Sequence, residues 1–250
     1  MGAARDRVEP PVSVDGAYKS ADHQARQADR YAWSKYELTT AWLRPHLKPG
    51  MTLLNIGCGG GEYNRVAADL GLKVIACEPD RTAYEMAAAA APAGCVVHHC
   101  GVLDLQPERD SAELVVMHDV LEHIEDDASA AAHLARLLRP GGRAVLSVPA
   151  LQWLFGQHDE LLGHYRRYTR RTLRPVLAPH FEIRRMRYFG AAFIPIALYY
   201  SVLARKPYPV AQSAAGPASK VLGAVCEVEK RLAFPLGTSL LAVVERKERP

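Results

Sequence analysis

Cysteine is scarce in this sequence and nothing pairs it. Five occur in 250 residues, at positions 58, 77, 95, 100 and 226. The count is odd and no two form a C-x-x-C pair, which argues against a disulfide framework or a cysteine-built zinc site. A reducing, cytoplasmic setting is expected. The N-terminus carries no basic-then-apolar leader, so no secretory signal is expected. No apolar run has membrane length. The longest, residues 189–204, holds about 16 residues and includes Pro195, whereas a spanning helix needs roughly 20. That run is expected to be buried or interfacial, and contact with a membrane surface is one role for it. Internal repeats are also lacking, and the alanine run at 87–91 is the sole low-complexity stretch.

What is present suits a globular protein. The chain is 49% hydrophobic and 23% charged, long enough for one domain with a core on two sides of a sheet. Residues 1–15, polar and including Glu9-Pro10-Pro11, predict a loose tail. The net charge of +4 is mild, but Arg166, Arg167, Arg170, Arg171, Arg174, Arg184, Arg185 and Arg187 crowd one stretch. Such a cluster is either a solvated helix face with a strand edge, or a surface for an acidic substrate, a phosphate or an anionic membrane.

After residue 50 the pattern alternates. Short apolar runs at 51–56, 73–77, 95–99, 114–117 and 143–148 read as buried strands, being brief and flanked by Gly or Pro. Between them, 63–70, 81–91 and 127–138 read as helices. Strand–helix–strand alternation predicts a parallel sheet covered on both faces. Asp80 is placed to cap the second of these helices, and Pro140-Gly141-Gly142 to end the third with a turn before the next strand. Thr169 is expected to cap a helix running to about residue 178, stopped by Pro179. Two more strands are expected at 181–188 and 239–245. One or two helices carrying Tyr31, Trp33, Tyr36 and Trp42 precede the sheet. Residues 190–237 separate the last two strands, with an amphipathic helix near 219–232. A connection that long predicts a lid, an acceptor wall or an interface.

The strongest local signal is Leu53-Leu54-Asn55-Ile56-Gly57-Cys58-Gly59-Gly60-Gly61-Glu62. A buried strand runs into glycines and then into a helix. Glycine permits the tight turn and close approach of a ligand to the main chain, and the helix start offers free N–H groups to an anionic ligand group. A dinucleotide site requires G-x-G-x-x-G. Counting from Gly57 the third glycine falls on Glu62, and from Gly59 on Asn64, so both registers fail. The second signal is Glu78-Pro79-Asp80, at the end of the second strand and about 20 residues beyond the first glycine. A carboxylate there can accept both hydroxyls of a ribose.

These two motifs, followed by Val115-Val116-Met117-His118-Asp119-Val120-Leu121-Glu122-His123-Ile124 and Leu137-Leu138-Arg139-Pro140-Gly141-Gly142, resemble the ordered motifs of class I S-adenosylmethionine (SAM)-dependent methyltransferases over residues 50–150. The resemblance implies an α/β Rossmann-like fold with a seven-stranded, mostly parallel sheet whose last strand is antiparallel. It also implies helices on both faces, an N-terminal helical region and a helical insertion before the last strand. On that division 1–15 is the tail, 16–48 a helical cap, 49–189 with 238–247 the SAM-binding core, and 190–237 the insertion. The resemblance assigns the cofactor S-adenosyl-L-methionine to Asn55, Gly57, Cys58, Gly59, Gly61, Glu78, Pro79, Gly101, Val102, Asp104, His118 and Asp119. Two positions depart from the family. Asn55 stands where an acid is usual, and Gly101 stands where an adenine-side acid is common, with Asp104 three residues later.

The segment 149–169 follows the fifth strand, on the side where acceptors bind in this fold. It resembles a bacterial subgroup met beside glycosyltransferases and natural-product pathways, as does the late stretch 234–243. An acceptor hydroxyl would need a base near the transition state, and histidine titrates in the right range. The order of candidates is His164, His158, His123. Trp153, Phe155, Tyr165, Arg166, Arg167 and Tyr199 are candidate acceptor contacts, with Arg166 and Arg167 able either to fork onto a substrate anion or to hold a helix start by ion pairs. The spacing of His158, Asp159 and His164 is not a zinc pattern, and no metal is expected. The expected acceptor is a small molecule (a natural product, a sugar or a lipid-linked intermediate), acidic or with apolar bulk. Nucleic acid is not expected, because the segment after the fourth strand lacks Asn/Asp-Pro-Pro-aromatic and no RNA-binding module is evident. The competing reading is a SAM-binding module without turnover, acting as a partner or membrane-docking unit.

Overall fold

A computed structural model describes residues 21, 29–106, 111–208 and 217–248. The expected tail, most of the chain ahead of residue 29 and residues 209–216 lie outside them. Helix α1 (Arg30–Leu43) starts at Asp29, whose Oδ1 accepts the Tyr31 N–H at 2.8 Å. That is the usual N-cap solution for an orphan donor. The sheet follows. Strands β1 (Thr52–Ile56), β2 (Lys73–Cys77), β3 (Cys95–His98), β4 (Ala112–His118) and β5 (Leu138–Pro149) are parallel, and β7 (Ser239–Arg246) runs antiparallel between β5 and β6 (Phe181–Phe189). The order among the described residues is β3-β2-β1-β4-β5-β7-β6. The connections leave β1 toward β3 and then return to its other side at β4. The carboxyl ends of β1 and β4 therefore flank the crevice where the order reverses.

Side chains alternate between the two faces with the period of two that strands impose. Leu54, Ile56, Val115, Met117 and Leu146 join one core cluster, while Leu53, Leu114, Val116 and Val145 join the other. Helices α4 (Asp127–Leu137) and α6 (Arg170–Leu177) cover the first, and α1 and α2 (Glu62–Asp69) cover the second. Asp80 caps α3 (Arg81–Ala89) by accepting the Ala83 N–H at 2.9 Å, and Thr169 caps α6. One turn is corrected. Helix α4 ends at Leu137 and Leu138 already belongs to β5, so Arg139-Pro140-Gly141-Gly142 is an irregularity within the β4–β5 pairing, with Gly141 at φ 71°. A bulge absorbs the extra residues that the sequence suggested as a separate turn.

The insertion between β6 and β7 opens with a 3-10 turn, the short helix α7 (Ile194–Leu198) and a π-helical turn (Tyr199–Ala204). It returns through α8 (Pro217–Arg231). No described helix is long and apolar enough to cross a membrane. Buried Glu229 of α8 accepts the N–H groups of Gly190, Ala191 and Ala192 at 2.6, 3.0 and 2.8 Å. Arg187 donates to the carbonyls of Glu229, Lys230 and Leu232 at the end of the same helix. A cation on terminal carbonyls satisfies groups the helix cannot satisfy itself. The arginine cluster is dispersed in the same way. Arg184 pairs with Glu182 and Glu245, Arg170 lies over Tyr188, and Arg185 lies over Trp42.

Candidate active site

The glycine turn closes on the end of β2. Gly57, Gly59 and Gly61 all have left-handed φ, at 64°, 57° and 88°. Gly61 is the N-cap of α2. Both oxygens of the buried Glu78 carboxylate accept backbone N–H groups, Gly59 at 2.9 Å and Asp80 at 3.0 Å. Glu78 thus positions the turn as well as facing it. Asn55 is buried and donates Nδ2 to Asn64 Oδ1 at 2.8 Å. Cys58 packs inside, where burial pushes its thiol far up, and Cys77 is likewise raised to about 12 by burial. Pro79 is exposed and its carbonyl meets His99 at 3.1 Å. Past β3, Val102 is buried and Asp104 exposed, with the Asp104 carboxylate 3.5 Å from the point where a Cβ on Gly101 would stand.

Across the crevice His118 is buried and held at both ring nitrogens, by Thr39 at 3.1 Å and Ser147 at 3.0 Å. Asp119 follows with φ 53°, accepts from Ser147 Oγ at 2.9 Å and forms an ion pair with Lys35 of α1. Tyr36 and Tyr63 pack on the His118 ring, centroids 5.2 and 5.9 Å away. The cleft is lined by Tyr36, Asn55, Gly57, Gly59, Tyr63 and His118, among others. Lys35, Tyr36, Thr39, Tyr63 and Ser147 were not singled out from the sequence for this site. Tyr36 carried a signal as an aromatic on the helix ahead of the sheet, and Ser147 as a polar residue in an apolar strand.

The segment after β5 folds around one carboxylate. Asp159, on the short helix α5 (Gln157–Leu162), is fully buried. It takes three bonds of 2.8–3.0 Å from Arg167, one of 2.8 Å from His164 Nδ1 and one of 3.0 Å from the Gly156 N–H. Burial would raise its pKa, but the His164 bond and the Arg167 charge outweigh that and hold it at about 2. Arg167 therefore does not reach outward for an acceptor anion, because its fork is filled from within. Arg166 is likewise engaged, on Asp127 at 2.9 Å and on the Glu125 carbonyl at 2.7 Å. His123 and His164 meet edge to face at 4.6 Å, while His158 turns to Tyr208 at 4.5 Å. Phe155 and Tyr165 are half-buried, and Trp153 and Tyr199 are 51% and 53% exposed.

Comparison with known proteins agrees with this arrangement. Residues 24–191 match the family model described as a methyltransferase domain. An uncharacterized methyltransferase of Mycobacterium avium is 37% identical over 120 residues, 46% of this chain and 46% of that protein. The chain spans about half the length of the curated relatives it matches. Among solved structures, a SAM-dependent methyltransferase from Mesorhizobium loti superposes with TM-score 0.56 at 18% identity, covering 84% of this chain and 98% of that one. The Haemonchus contortus phosphoethanolamine N-methyltransferase 2, in complex with SAM, gives TM-score 0.63 at 15% identity, covering 94% of this chain and 59% of that one. At such identities the likeness is one of fold, and it agrees with the strand order and the glycine turn. The chain belongs to the family of the methyltransferase domain.

Proposed function

We propose that this chain moves the methyl group of SAM onto a small-molecule acceptor with apolar bulk, held between the β4 and β5 ends and the segment beyond β5. The junction of Gly59 with Glu78 carries the reading. Three left-handed glycines and a buried carboxylate meet at the end of β1, with a concave cleft beside them. An adenosyl ligand fits that chemistry. The turn lets it approach the main chain, and a carboxylate has about four lone-pair sites, two of which the N–H groups of Gly59 and Asp80 use. The donor brings an already activated sulfonium methyl, so the protein's work is to orient the acceptor and exclude water. Asn55 donates from Nδ2 to Asn64, and its carbonyl is the end of the amide that would accept from the ammonium group of a bound donor. Lys35 and Asp119 tie α1 across the crevice as its cover.

The acceptor preference rests on exposure. Arg166 and Arg167 are committed to internal acids, while Trp153 and Tyr199 present aromatic surface. An apolar or aromatic acceptor suits that wall better than an anionic one. The proton of an acceptor hydroxyl would be handled at the corner where His123 and His164 meet. The direct test is a methyl-transfer assay with isotopically labelled SAM over a panel of phenolic, glycosyl and prenyl-chain alcohols, beside phosphorylated amines. Transfer to the first group supports the proposal. Transfer confined to the phosphorylated amines overturns the acceptor class, and SAM binding without transfer to any acceptor favours the module without turnover.

A further inference from the structure

We propose that Glu122, His123 and His164 form a binding site for one divalent transition-metal ion, beside the acceptor side of the crevice. The inference deepens the function proposed above and rests on it for the location of the acceptor. The three residues come from two separated segments, the turn after β4 and the chain leaving α5. One donor atom from each lies within 4.8 Å of the others. The two segments are locked together, since the Tyr165 N–H donates to the Glu122 carbonyl at 2.8 Å. Gly163, at φ 75°, reverses the chain so that His164 turns back toward α5.

His164 is held in one orientation. Its Nδ1 lies 2.8 Å from Asp159, a carboxylate forked by Arg167 that can only accept. Nδ1 therefore carries a proton, and Nε2 faces Glu122 Oε1, 4.0 Å away. That gap is too long for a hydrogen bond. It suits two ligands of a common ion, because bonds of about 2.0–2.2 Å place neighbouring ligands roughly 3–4.2 Å apart. A carboxylate that takes the far N–H of a histidine is also the arrangement that fixes a ligating imidazole. Arg167 and the Gly156 N–H hold Asp159 in turn. One carboxylate and two imidazoles suit zinc, cobalt, iron or nickel better than magnesium or calcium. Such a set leaves ligand positions open, and an ion there would polarise an acceptor oxygen and ease loss of its proton. His158 stays outside the cluster, its ring 6.3 Å from that of His164 and tilted against Tyr208 at 4.5 Å. The three donors thus differ from the His158, Asp159 and His164 set considered from the sequence.

The test is titration of tag-free, chelator-treated full-length protein with Co2+ and Zn2+. It is read by cobalt ligand-field absorption and by metal content after dialysis, with SAM titrated separately. We expect one ion per chain, and a roughly 10- to 100-fold loss of cobalt affinity in Asp159→Asn, which weakens the support of His164 and also takes the counter-ion from buried Arg167, so its folding is checked by circular dichroism. His123→Gln, a half-buried ligand whose loss threatens the fold less, should abolish the cobalt band while SAM affinity stays within about twofold. No stoichiometric metal in the wild type overturns the proposal, and so does an unchanged band in His123→Gln. SAM binding without metal removes this site and leaves the methyltransferase reading standing, while metal without SAM does the reverse.

Discussion

A Cβ on Gly57 would come within 2.3 Å of a Val120 methyl, at a φ of 64°. Both the clash and the left-handed backbone oppose any side chain there, at a cost of about 1–3 kcal/mol each. Gly57→Ala should therefore lower the melting temperature and displace the loop after β4, and unchanged melting with unchanged SAM affinity would contradict the close approach. Glu78→Ala removes a charged acceptor that also holds the Gly59 N–H. A loss of roughly 1.5–3 kcal/mol for such bonds predicts SAM binding about 10- to 150-fold weaker by calorimetry. The buried thiols add a pH dependence. The folded Cys77 pKa is raised above its usual value by burial, to about 12. A raised folded pKa means this contribution to stability is complete below about pH 9 and fades as the pH climbs toward 12. Cys77 and Cys58 should resist alkylation at pH 8 while half-buried Cys95 and Cys100 react. Prompt labelling of Cys58 would show that the glycine turn opens freely.

Among the elements, the stretch from Gly156 to Tyr168 depends on one ion pair more than on its short helix. Arg167→Ala leaves Asp159 buried without its strongest partner, and loss of one member of such a pair costs about 3–5 kcal/mol. Urea denaturation should show a destabilisation of that order. A change below about 1 kcal/mol would mean the carboxylate finds water instead. The elements also show what sequence can carry. The strand runs, the caps at Asp80 and Thr169 and the glycine turn were legible because each depends on residues close along the chain. The bulge at Arg139-Pro140-Gly141-Gly142 was read as a turn, because proline and glycine mark either and the pairing of Leu138 with Ala112 across the sheet decides. The arginine cluster left two readings open, a solvated face or a surface for an anion. Arg166, Arg167, Arg184 and Arg187 pair with Asp127, Asp159, Glu245 and the end of α8, and composition does not say which partners the fold brings to them.

For the molecule as a whole, the strand order brings distant residues to one crevice. Lys35 and Asp119 are 84 positions apart, yet they join α1 to the end of β4, and Thr39 and Ser147 meet on the two nitrogens of His118. No local pattern announces such contacts, so a helical cap ahead of the sheet was legible while the residues that tie it across the crevice were not. Closure of that cover over a ligand predicts added stability. Saturation at about 100 times the dissociation constant contributes roughly 2.7 kcal/mol, and a protein of this size should then melt some 5–10 °C higher, at about 2–4 °C per kcal/mol. The measurement that bears most directly on the central claim is calorimetric titration of the full-length chain with SAM, S-adenosylhomocysteine and NAD. One site should take both adenosyl ligands and ignore NAD. Binding of NAD, or no binding of either adenosyl ligand, would contradict it.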